Sequence, residues 1–184
     1  MTTASVPPPP RWAVRTAHAV QLAVLPSTIW RAAMALGVDV GFSDEVLRTD
    51  YHSPGWGTVY MLGLCVIVEV AAFMTMGLVR DWGVVAPRWI PVMGGKRVNP
   101  TAAVTAAGTG AAILCLLWVY QSVVAIFLAD DMGLTGGSAA VMYICYAPLL
   151  LWGPLLIAVT VSYHRRVRPA AHAAPRPAPA GMSC

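Results

Sequence analysis

The sequence predicts an all-α integral membrane domain: four transmembrane helices with both termini cytoplasmic. Composition is the first observation. Of 184 residues, 58% are hydrophobic and 11% charged, and the mean hydropathy of +0.66 is too apolar for a soluble domain of this size. Apolar residues gather near 17–38, 57–79, 101–128 and 139–163. At about 1.5 Å per residue, each stretch matches the roughly 30 Å hydrocarbon core of a bilayer. Charge placement is the third: the N-terminus, the 80–100 connection and the tail are basic, and the other two connections are acidic. Cationic segments stay on the cytoplasmic side, so an even number of crossings with inner termini follows. The expected location is the plasma membrane, with the lipid bilayer as first partner.

The formal net charge of +4 does not indicate nucleic acid, because the basic residues sit in short clusters beside apolar spans. Cys65, Cys115, Cys145 and Cys184 include no CxxC pair, and three lie in apolar stretches where a thiol acts as a small hydrophobe. That excludes a disulfide framework and a thiol redox centre.

Residues 1–16 form a flexible arm, since the Pro7–Pro10 run cannot be helical. The first span is the least apolar, holding His18, Gln21, Pro26, Ser27, Thr28 and Arg31. Arg11, Arg15, the core Ala19–Leu25 and Ala33-Met34-Ala35 match a cleavable signal peptide, but apolar character resumes after Pro26 and favours a kinked span. In the acidic connection, Ser43 is placed to cap a short helix whose first turn holds Asp44 and Glu45. Asp50 and His52 are two groups with metal-ligand chemistry, too few for a site. No metal or other cofactor is expected.

The second span carries Glu69 in the middle of Tyr60–Val79, where a charge costs a few kcal/mol and should face protein or water. The connection that follows is basic, with Arg88, Lys96 and Arg97 as candidates for lipid headgroups. Gly94-Gly95-Lys96 lacks the spacing of a phosphate loop. The third span opens with small residues at four-residue intervals, Ala103, Ala107 and Ala111, a face for close helix contact. The fourth holds Tyr143, Tyr146, Pro148, Trp152 and Pro154 and should kink. Residues 17–168 are the membrane domain and 169–184 a disordered Pro/Ala tail.

Counted from the outer ends, Arg31 lies on the order of 10 Å deep and Glu69 on the order of 16 Å. Helical side chains lean toward the N-terminus, so these two converge and an ion pair is expected. Gln121 and Tyr146 fall near the same layer, with Tyr143 slightly shallower.

The stretch Pro87–Val98 with Trp82-Gly83, and Pro54–Thr58 leading into a span with a central Glu, resemble small multi-pass membrane proteins of actinobacteria. That group has no assigned activity, so the resemblance implies the four-span plan and no catalytic residue. Four-helix multidrug exporters embed their Glu in the first helix of much shorter chains, and membrane terpene cyclases use two acids over seven spans; this sequence departs from both.

Three functions fit. One is the binding of a lipid or apolar small molecule in an outward-facing pocket lined by Arg31, Glu69, Gln121, Tyr143 and Tyr146. Another is an isoprenoid or lipid enzyme in which Glu69 is the general acid and Arg31 its partner. The third is a scaffold subunit docking other membrane proteins through faces such as Ala103/Ala107/Ala111.

Overall fold

The computed structural model describes residues 6–85, 95, 98–127 and 137–172, with side chains to 168. Among these residues the protein is helical throughout and has no strand. The helices are α1 (Arg11–Ala35), α2 (Asp44–Thr49), α3 (Trp56–Gly77), α4 (Pro100–Phe127), α5 (Ser138–Tyr146) and α6 (Trp152–His172). Three segments are long and apolar enough to cross a membrane: α3, α4 and the continuous run Ser138–Arg168. Only 6% of the apolar window of α4 is buried within the protein, so most of that surface needs an apolar medium outside it.

The stretch expected as the first span is a helix of 25 residues but is not among these three. Its position explains the weak hydropathy. The long helices pack in the order α3–α1–α6–α4, so α1 has a neighbour on each side. Ala13, Ala17, Val20, Val24 and Ser27, at intervals of three and four, are wholly buried and share one face. Arg31 continues that row. On the other side, Leu22 and Ile29 are exposed. A central helix can carry polar groups toward its neighbours, which lowers its average hydropathy without exposing those groups.

The helix begins at Arg11, earlier than expected, because Pro10 is extended and its carbonyl accepts from the Ala13 and Val14 amides. It ends at Gly37, whose φ of 80° lets the Val38 amide reach the Ala33 carbonyl and its own amide reach Met34. Ser43 caps α2 by accepting from the Val46 amide, above an acidic first turn. Where the last span is expected to kink, the helix tightens to a 3-10 turn at Ala147–Leu151, Pro148 having no amide to donate, before α6 begins. α6 then continues to His172, past the start of the expected tail.

The small-residue face of α4 packs within the chain. Ala111 is fully buried and Ala103 and Ala107 pack on the same core, against α6. Approach is closest at Gly153, where a Cβ would collide with the Cys115 sulfur and stand 3.3 Å from the Ala111 carbonyl oxygen. That face is therefore not free for another membrane protein, correcting the docking role expected of it.

Opposite the α2 end, Arg166 donates to the Leu78 carbonyl at 2.8 Å and the Pro7 carbonyl at 3.3 Å, and stacks on Tyr163. Tyr163 donates to the Gly83 carbonyl at 3.0 Å. Thus Val6 and Pro7 of the arm are docked on the helices. Trp82, in the turn Asp81–Gly83, stacks on Phe73 at 5.6 Å.

Candidate functional site

At the opposite end, the connection between α1 and α3 folds back over the helices. Val40 and Phe42 bury themselves against Met34, Ala35 and Met61, forming a second, smaller core. Beside it lies a cavity of about 190 Å³. α1 contributes Trp30, Arg31 and Met34, and the connection contributes Phe42 and Tyr51. Met61 and Leu64 come from α3, Met142 and Tyr146 from α5.

Arg31 is held in this wall by Tyr146. Its Nη2 donates to the tyrosine oxygen at 3.4 Å, and the guanidinium lies 5.7 Å from the ring centroid. Trp118 of α4 meets the same ring edge-on at 6.2 Å. Tyr146 is thereby fixed from two sides, with its hydroxyl proton left to donate. A cation–π contact of this kind contributes about 0.5–2 kcal/mol.

The expected ion pair is absent: among the described residues no carboxylate pairs with Arg31, and Glu69 Oε1 is buried without a hydrogen-bond partner. Helix register is the reason. The Cys65 thiol donates to the Thr28 carbonyl at 3.8 Å, which sets those two residues level in the antiparallel α1–α3 pair. Arg31 lies three residues from Thr28 toward one end, and Glu69 four residues from Cys65 toward the other. They are about 10 Å apart along the axis, with Cys65 between them in the field of both. Glu69 is half-buried and outside the cavity lining.

The other expected groups divide. Tyr146 lines the cavity, whereas Tyr143 is exposed and donates to the Ala125 carbonyl at 3.3 Å, tying α5 to α4. Gln121 is exposed as well. Packing Ala103, Ala107 and Ala111 on α6 fixes the rotation of α4, and that rotation turns Trp118 toward Tyr146 and leaves Gln121 outside. Arg88, Lys96 and Arg97 lie outside the described residues.

Sequence reasoning missed the apolar lining. Met34 and Met61 could have been found from helical spacing, each lying on the buried row of its helix. Phe42 and Tyr51 carry no such signal, because their burial depends on how an irregular segment folds back. Their rings lie 5.3 Å apart, and burial, then Tyr146, then Asp50 push the Tyr51 phenol above its usual 10.0.

Chemically, the wall offers one cation, two phenol hydroxyls, three thioethers and four aromatic rings. Thioethers suit soft metal ions, but the guanidinium in the same wall opposes a cation. Among the described residues no group of three His, Cys, Asp or Glu could hold a metal.

Fold and site together define an all-helical chain with three segments long and apolar enough to cross a membrane, and a small apolar cavity with one guanidinium in its wall. No family model, curated protein or solved structure matches the chain.

Proposed function

We propose that this protein is a four-span plasma-membrane protein that binds an apolar small molecule or a lipid chain in the cavity between α1, α3 and α5. The cavity itself carries the reading: about 190 Å³ lined by Met34, Met61, Leu64 and Met142 beside Trp30 and Phe42. Methionine and aromatic walls adapt to hydrocarbon without demanding one shape. α1 counts as the fourth span, since its exposed Leu22 and Ile29 form a lipid-facing row opposite the buried one. On this topology the cavity faces outward, and the Arg15, Arg80 and Arg165 side chains lie on the cytoplasmic side. The likeness to small actinobacterial membrane proteins agrees with such a plan. A general-acid role for Glu69 gains little from the geometry, because that carboxyl is not in the cavity lining.

The binding reading is tested by purifying the protein in mild detergent and measuring retained lipids by native mass spectrometry. Filling the cavity with Met142→Trp should abolish retention while leaving thermal stability near wild type. Unchanged retention in that variant would remove the reading. Topology is tested separately by labelling single cysteines at positions 11, 45 and 164 with an impermeant reagent. Reaction from outside at 45 and at neither 11 nor 164 is expected; reaction of 11 and 45 alike counts against α1 as the fourth span, and the reverse pattern counts against the orientation.

A further inference from the structure

We infer that the occupant of the cavity is a single-chain amphiphile with an anionic head, a carboxylate or phosphate monoester, its head on Arg31 and Tyr146 and its chain leading into the membrane. This rests on the cavity being a binding site. Three observations specify the head. The guanidinium that lines the cavity has five N–H donors; one goes to Tyr146 at a long 3.4 Å and the Cys65 sulfur is a second neighbour, which leaves most of the fork for a ligand. No carboxylate pairs with it among the described residues, and register holds Glu69 about a turn beyond Cys65, on the far side from Arg31. Tyr146 accepts from Arg31, so its own proton is available to a second acceptor, and its ring is pinned by Trp118 at 6.2 Å. A fixed fork of N–H donors beside an O–H donor suits an oxyanion with two or more oxygens.

Size and surroundings specify the rest. About 190 Å³ holds roughly six water-sized groups, enough for a head and the first few carbons but not for a two-chain lipid. The remaining carbons have apolar protein surface to follow, since α3 exposes Tyr60 and Ile67, four and three residues from the cavity-lining Leu64. A free anion from water would leave the Met34, Met61 and Met142 walls facing solvent. A chain covers them.

The experiment uses the full chain in nanodiscs of zwitterionic lipid and a brominated C18 fatty acid, with bromine near the carboxyl end. Bromine quenches indole at short range, and Trp30 lines the cavity. The acid should quench saturably, Trp30→Phe should remove most of that signal, and the corresponding methyl ester should bind at least 10-fold more weakly. Arg31→Gln should lose at least 10-fold affinity for the acid, Arg31→Lys should recover part of it, and Tyr146→Phe should lose about 3-fold. The ester comparison in wild-type protein needs no variant to fold. Equal quenching by acid and ester overturns the anionic head and leaves the cavity as a binding site. Quenching by neither overturns both. Displacement of the acid by acetate or inorganic phosphate at similar concentration assigns the site to a water-borne anion and overturns the amphiphile.

Discussion

Gly153→Ala is the sharpest test of the helix arrangement, because the contact it perturbs joins α4 to the rest of the molecule. A methyl at this position would collide with the Cys115 sulfur, and it would stand 3.2 Å from the Cys115 amide nitrogen and 3.3 Å from the Ala111 carbonyl oxygen. The sulfur can rotate away; the backbone atoms cannot move without displacing the helix. Overpacking of this kind costs about 1–3 kcal/mol. For a chain of 184 residues that corresponds to a fall in Tm of roughly 2–4 °C per kcal/mol, so a shift of several degrees is expected. The assay is thermal unfolding in detergent followed by intrinsic fluorescence, with Cys115→Ala and the double variant in parallel. Removing the sulfur relieves the largest clash, so the double variant should recover about 1 kcal/mol relative to the sum of the two single effects. If Gly153→Ala melts as wild type does, and the two changes add without coupling, α4 does not approach α6 at this point and the helix order is wrong.

Further expectations concern both ends. Tyr163→Phe removes the hydrogen bond to the Gly83 carbonyl and should cost about 1 kcal/mol, seen as a lower Tm and faster amide exchange near residues 81–85. Ser43→Ala removes the cap on the Val46 amide and should cost about 0.5–2 kcal/mol locally, read as faster proteolysis within residues 44–49. Tyr51 has its phenol raised by burial first, then by Tyr146 and Asp50. An acid with a raised folded pKa keeps its proton longer in the folded state, so its contribution is intact below pH 10 and is lost as pH rises past the unfolded value. Alkaline titration should therefore loosen the connection over the cavity above about pH 10. Tyr51→Phe should remove that pH dependence.

Much of this was legible in the chain because it depends on local physics. Long apolar helices follow from apolar length, the α2 cap from Ser43 and the break in the last helix from Pro148; each needs only a residue and its near neighbours. The buried face of α1 was present as well, in the three- and four-residue spacing of Ala13, Ala17, Val20 and Val24. What the sequence left undecided was rotation and register. Arg31 and Glu69 look paired when depth is counted along separate helices, yet the level set by Cys65 and Thr28 parts them by about 10 Å and gives Arg31 to Tyr146 instead. Gln121 and Trp118 lie less than one turn apart on α4, and only the packing of Ala111 on α6 decides that the indole turns inward. Phe42 and Tyr51 reach the cavity through a fold-back that no periodicity encodes. A helix is specified by contacts four residues apart, so sequence determines it; a cavity is specified by groups a hundred residues apart, so only the tertiary structure decides it.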